Sequence, residues 1–425
     1  MDLDRADPAA ATDLHPAPGA PGDPAPSSPD WLGLVGLAGL IALLGVWFSW
    51  WAVLIVVALI VTIFLHELGH YLTARSAGMK VTEFFLGFGP RIWSFKRGET
   101  EYGIKAIPAG AYVKIIGMSN LEEVDPADEE RTYRSKRYWR RFSVAVAGST
   151  VHFILALLLI FTVFVGFGVE DGDASNWTVV VQPDSPAAAA GLRDGDRLVS
   201  VDGRAVTSFD ETSAGLRARP GETVEVLVER DGDVRTLTVT LDDVHPQTGA
   251  RAGYLGVGPV FPRNRLNPIE GVGRAVSETR SAAWLSITGI GRLFSPDGLE
   301  RYVDNVQGDV APRADGLPDE GRPTSLVGIV NVGTQAAEAG VVNVFSLLFI
   351  VNVFIGVFNL APLLPFDGGH VVIATYEQIR TLIARRQYRA DVAKLMPLTY
   401  VVVAVLAMIF VSSVWLDVAD PPSIR

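Results

Sequence analysis

The stretch Ile63–Leu72 reads IFLHELGHYL, with His66, Glu67 and His70 in H-E-x-x-H order. On a helix, residues four apart differ by about 40° in direction, so both imidazoles project from nearly one face. Imidazole nitrogen is a good zinc ligand, and a glutamate about 100° round the same turn can take a proton from water held at such an ion. The spacing therefore implies metal-assisted hydrolysis, with His66 and His70 as Zn2+ ligands and Glu67 as general base. The chain has only six histidines, and polar groups in an apolar run are costly to bury, which weighs against a chance match.

A catalytic zinc site takes three protein ligands and keeps one position open. Candidates for the third are His152 in GSTVHFILA, and Asp367 and His370 in NLAPLLPFDGGH. Asp367 closes an uncharged run that begins at Ala339, and an ionisable group at such a place is functional by default. Pro362 and Pro365 interrupt helical hydrogen bonding, and Gly368 and Gly369 loosen the backbone. Broken backbone at membrane depth is tolerated only where it lines protein or a water-filled cavity. Asp367 is the preferred ligand, since its negative charge offsets part of the cation's. An aspartate that merely caps a helix is the plain alternative.

The elements that must position these residues are apolar. The chain has 425 residues, 49% of them hydrophobic, and no cysteine, so no disulfide or thiolate metal site can form. About 20 helical residues cross about 30 Å of hydrocarbon, so long apolar runs read as spans. Residues 1–30, rich in Pro, Ala and Asp, read as a disordered tail without the basic start of a signal peptide. The near-continuous apolar stretch 31–72 is too long for one span. It divides at WFSWW into a possible extra helix, 31–50, and the helix 51–76 that carries HELGH, although a single tilted span remains open. Further spans read as 142–168, 342–366 and 398–416.

Charge orients these spans. Residues 75–141 hold 13 Lys and Arg against 9 Asp and Glu, and residues 373–397 hold 5 against 2. Residues 169–342 hold 16 against 26, with no lysine. The segments 77–141 and 367–397, the latter taken as a loop, are thus expected in the cytoplasm, and 169–341 outside. The net charge of −11 gives no reason to expect nucleic-acid binding. Within the outer segment, the turn signals DGD, VDGR and RDGD separate strand-like runs, giving a β-rich domain over about 173–260. The helical spacing of GVGRAVSETRSAAWLSITGIGRLF suits a helix along the membrane surface.

HELGH in one span, with Asn359-x-x-Pro362-x-x-x-x-Asp367-Gly368 in a later one, resembles the site-2 protease family of intramembrane zinc metalloproteases. The bacterial type with one extracytoplasmic PDZ domain fits best. The resemblance runs from about Trp51 to the end of the chain. It implies a polytopic α-helical membrane protein of four core spans, a cytoplasmic membrane-associated β-hairpin region and an extracytoplasmic α+β PDZ domain. It further implies zinc on His66, His70 and Asp367, Glu67 as base, and Asn359 hydrogen-bonding substrate backbone. The implied substrate is a single-span membrane protein, such as an anti-sigma factor, cut within the bilayer during signal transduction. The segment Val81–Met118 looks like the family's hairpin region, whose edge an unwound substrate can join as an added strand. A hairpin packed only for stability is the alternative.

SPAAAAGLRDGDRLVSVDGRAV resembles a bacterial PDZ domain, and Tyr254, Leu255, Gly256 and Val257 would form its loop for a terminal carboxylate. A size filter without peptide binding is the preferred reading of that domain. The sequence departs from the family at His152, which stands where a Gly-x-x-x-Asn pattern usually has asparagine. A polar or packing contact is the expected role. The alternatives are a membrane-anchored zincin acting on soluble peptides, which the placement of HELGH in an apolar run disfavours, and a non-catalytic PDZ scaffold, which the intact Glu67 disfavours. No inverted repeat suggests a transporter.

Overall fold

The computed structural model describes residues 49–119, 122–170, 176–246, 249–307 and 324–419, together with Gly39 and Gly45. The expected tail 1–30 lies outside the described residues, as does nearly all of the possible extra span 31–50. The described chain falls into two compact units. One lies within 49–151, 324–334 and 359–419, the other within 152–307 and 335–358.

In the first unit, α1 (Trp50–Ser76) has 27 residues, about 40 Å of helix, enough to cross the hydrocarbon with turns to spare. The Ser49 side chain caps it by accepting from the Trp51 N–H, and Gly78, at φ +70°, turns the chain out after its last residue. Two long antiparallel strands follow, β1 (Val81–Arg97) and β2 (Thr100–Ile115). Each bends and is used twice. Residues 81–86 pair with 111–115 on one side and lie beside 101–104 on the other, while 91–97 pair with 100–105. The run 111–115 is consequently an outer edge. The base of this sheet packs on the end of α1 through Tyr71, Ala74, Val81, Phe84 and Ile115.

The chain enters its second long helix, α2 (Tyr138–Thr162), from the basic run RTYRSKRYWRR, and a π-helical turn extends it to Phe167. Beyond it, in the second unit, come the short strands β3 (Val169–Glu170) and β4 (Thr178–Val181) and the helical turn α3 (Pro186–Ala189). A sheet is then built from β5 (Arg197–Val201), β6 (Arg204–Ala205), β7 (Thr223–Arg230) and β8 (Asp233–Thr240) in the order β6-β5-β7-β8, with α4 (Phe209–Arg217) inserted before β7. Val224, Val226 and Val228 alternate into its core with Trp177, Val179, Leu198, Val239 and Leu255. The domain closes with β9 (Asp242–Val244), β10 (Arg251–Tyr254), β11 (Val257–Val260), which pairs with β4, and β12 (Arg263–Asn264), which pairs with β3.

Two more helices follow, α5 (Pro268–Leu293) and α6 (Pro296–Gln307). The surface helix expected after the β-rich domain corresponds to α5. Its Ala275, Ala282 and Ala283 join a cluster with Ala156, Ile160, Phe349 and Val353, so one face of α5 is buried on long apolar helices. After α7 (Leu326–Glu338) comes α8 (Val341–Asn359), in which no residue is charged.

Leu360–Phe366 then breaks the helix. Pro362 and Pro365 deny the N–H groups and the backbone conformation a helix requires. The segment 367–397, read from sequence as a loop, instead holds the 18-residue helix α9 (Asp367–Ala384). Gly369, Ala374 and Glu377 are buried, Val372, Tyr376, Ile379 and Ile383 form an exposed stripe at helical spacing, and Asp367 in the first turn faces the positive end of the helix dipole. Gly368 is required by close approach, since a Cβ there would overlap the carbonyl oxygens of Leu360 and Ala361. A 3-10 turn (Val392–Leu395) leads into α10 (Met396–Ala419). Among the described residues, four segments are long and apolar enough to cross a membrane: Trp50–Ser76, Tyr138–Phe167, Val341–Asn359 and Val392–Ala419.

Candidate metal centre

Three donor atoms from sequence-distant places meet in the first unit. His66 Nε2 and His70 Nε2 lie 3.2 Å apart, and Asp367 Oδ2 lies 3.4 Å from the first and 3.1 Å from the second. Among the described residues these three form the one group of His, Asp or Glu side chains fit to hold a metal ion. Tetrahedral ligands about 2.0–2.1 Å from zinc stand about 3.3–3.4 Å from one another. The triangle has that size.

The proton count also fits a cation. His70 Nδ1 lies 2.7 Å from the carbonyl oxygen of Val144, which can only accept, so Nδ1 carries the proton. In the neutral ring, Nε2 then points a lone pair at both the Asp367 carboxylate and His66. A cation at the centre reconciles lone pairs that otherwise repel. The tautomer is fixed by this outer hydrogen bond, a frequent feature of metal-binding histidines.

Gly148 of α2 makes the close approach possible. A Cβ there would overlap ring atoms of both His66 and His70. Glu67 flanks the triangle without joining it, its Oε1 4.0 Å from His66 Nε2. Its side chain is 17% exposed, so it keeps some access to water.

The remaining sequence candidates separate. His370 sits one turn beyond Asp367 but outside the triangle, with its ring against Tyr133. Burial pushes the His370 imidazole down and the Tyr133 phenol up to about 12. His152, in the second unit, is buried with its Nδ1 3.0 Å from Asn352 Oδ1. Asn359, half-buried, ends α8 just before the break. Tyr254, Leu255, Gly256 and Val257 line a groove of about 100 Å³ in the β-rich domain, opposite Phe209 and Leu216 of α4.

Residues 54–403 match the model of peptidase family M50. This chain belongs to peptidase family M50. The M50 chain is 35% identical over 409 residues to zinc metalloprotease Rip1 of Mycolicibacterium smegmatis, covering 88% of this chain and 98% of that protein. Zinc metalloprotease Rip1 of Mycobacterium tuberculosis is 33% identical over 407 residues, with 87% and 97% covered. A solved PDZ domain of an SdrC-like protein from Listeria monocytogenes aligns with 20% of this chain and 88% of its own length, at 23% identity and a TM-score of 0.18. The M50 chain is a zinc metalloendopeptidase of the membrane-embedded, multi-span kind.

Sequence reasoning missed two features of α2 that touch the histidines, the Val144 carbonyl and the bare Gly148, and also the buried Arg141–Glu377 pair between α2 and α9. Arg141 stood in a basic cluster read only for membrane orientation. Glu377 carried one visible signal, as one of two acids in the basic stretch 373–397.

Proposed function

We propose that His66, His70 and Asp367 hold the zinc ion and that Glu67 is the general base for cleavage of a peptide bond within the span of a single-span membrane protein. The convergence of the three donor atoms at 3.1–3.4 Å carries this reading. When bound, zinc supplies a Lewis acid for the scissile carbonyl and brings the pKa of water near about 7. The Glu67 carboxylate takes the proton of the attacking water and delivers it to the leaving amide nitrogen, so no proton is gained or lost overall. Its place beside the histidines, on the same helix turn, suits that transfer.

A helical peptide bond is shielded by its own hydrogen bonds, so cleavage needs extended backbone. The edge run 111–115 of the hairpin sheet pairs on one side with 81–86, leaving its other side for an added strand. Asn359, beside the Pro-interrupted segment, hydrogen-bonds the substrate backbone near the scissile bond. The basic segments around the hairpin and α9 face the cytoplasm, and the acidic β-rich domain faces outward. That domain is a PDZ domain. It screens substrates by the size of their outer part, and Tyr254–Val257 offer the place where a peptide end would dock. An anti-sigma factor is a fitting substrate, because cutting its single span releases a signal to the cytoplasm.

The test is reconstitution in detergent of the wild type and Glu67→Gln with a model single-span substrate. Chelator-sensitive cleavage inside the substrate's span, lost in the variant, is the expected result. Cleavage that survives the substitution would sink the mechanism.

A further inference from the structure

Three positions of α2, Arg141, Val144 and Gly148, follow the i, i+3, i+7 spacing of one helix face. The latter two hold the HELGH helix. The Val144 carbonyl accepts from His70 Nδ1, and the bare Gly148 lets both imidazoles lie over it. Arg141 holds the other half of the site. Its Nη1 lies 2.5 Å from Glu377 Oε2, on the helix that begins with Asp367. Both side chains are buried, and the other Glu377 oxygen accepts from the Ala390 N–H at 2.7 Å. Arg389 approaches the same carboxylate at 3.6 Å, and Tyr138 meets Thr375 at 3.3 Å.

α9 needs such a hold. The break 360–366, with its two prolines, carries no helical register from α8 to α9. The start of α9 is set by Gly368 and Gly369 packing on the backbone of 360–364, and its rotation and depth further along come from side-chain contacts of the helix itself. A buried ion pair is also a poor source of stability, because desolvation cancels most of its attraction. In some proteins such a pair instead fixes a defined geometry.

We propose that Arg141 and Glu377 are a positioning pair: one face of α2 grips α1 at Val144 and Gly148 and α9 at Glu377, and so sets the distance at which Asp367 completes the triangle. This rests on the reading of that triangle as the zinc site. Neither residue touches substrate or the reacting atoms.

The experiment measures zinc affinity by competition with a chromophoric chelator, alongside thermal unfolding, for full-length protein in detergent. Glu377→Gln is expected to weaken zinc binding about 10–100-fold, the usual cost of losing a supporting contact around a metal. The double variant Arg141→Met/Glu377→Met replaces the pair with apolar side chains; it takes the acceptor from the Ala390 N–H, so it should fold with a modestly lowered melting temperature. It should still bind zinc at least about tenfold more weakly, whereas Arg141→Lys, which keeps the charge, should stay nearer the wild type. A folded double variant with wild-type affinity overturns the proposal. So does failure of both Glu377→Gln and the double variant to fold, since the pair would then be a folding requirement. His66→Ala serves as control. A wild type that binds no zinc, or a control that binds it unchanged, overturns the zinc reading itself and the proposal with it.

Discussion

His152 Nδ1 donates to the side-chain oxygen of Asn352 across 3.0 Å, with both residues about 1% exposed. The Asn352 amide nitrogen donates to the Leu348 carbonyl at 2.8 Å, which fixes the orientation of the amide. Gly356 leaves room for this contact, with His152 Cβ 3.2 Å from where its own Cβ would be. His152 thus joins α2 to α8 within the second unit. His152→Phe alone leaves a buried amide oxygen short of a donor and should cost about 1–3 kcal/mol. His152→Phe with Asn352→Leu should cost less than the two single changes added together. Thermal unfolding in detergent checks this, and zinc content should stay at the wild-type level in all three variants.

Asp367→Ala removes one of three donors and should strip zinc from the purified protein, whereas His370→Ala should keep it. Metal analysis after dialysis separates the two. Retained zinc in Asp367→Ala, with loss in His370→Ala, would move the third ligand one turn along α9.

Gly148→Ala adds one methyl group where both imidazoles already lie. Overpacking a tight site costs about 1–3 kcal/mol, and here the strain falls on the ligands. Zinc affinity should drop by one to two orders of magnitude, about the equivalent of that strain, with the melting temperature of the metal-free protein changed far less. Chelator competition measures the first and a thermal scan the second.

In the β-rich domain, Arg230 grips Asp196 with Nε at 2.6 Å and Nη2 at 2.7 Å, and the Arg193 N–H adds a third contact at 2.9 Å. Burial pushes the Asp196 carboxyl up, but these partners outweigh it and leave the carboxyl below its ordinary value. The unfolded chain, with an aspartate pKa near 4, therefore binds more protons than the native domain in that range. The contribution of Asp196 is complete above pH about 4 and is lost as pH falls through the depressed native value. Asp196→Asn should destabilise the domain by about 2–3 kcal/mol at neutral pH and flatten its acid dependence. Hydrogen exchange of β7 amides against pH reads both effects.

The chemistry was legible in the sequence because it depends on local spacing. His66, Glu67 and His70 share one turn, so their mutual directions follow from helix geometry alone. Charge-free length marks the spans for a similar reason, since a bilayer selects for composition over about 20 residues. Asp367 was picked out by its setting, an acid at the end of an uncharged, Pro-broken run.

Tertiary structure decided the rest, because it concerns residues far apart in the chain. That Asp367 comes within 3.1 Å of His70, 297 residues away, follows from how α9 packs after the break, and spacing carries no such information. A helix stands over 367–384 where a loop is expected because Asp367 opens it and 370–384 hold no Gly or Pro to break it, whereas basic residues report membrane side and not backbone conformation. Gly148 and the Val144 carbonyl are invisible to motif reading, one having no side chain and the other acting through its backbone. Glu377 gains meaning only when Arg141, 236 residues earlier, closes on it. The candidate donors of this site were marked by sequence, and the distances between them were set by the helices packed around it.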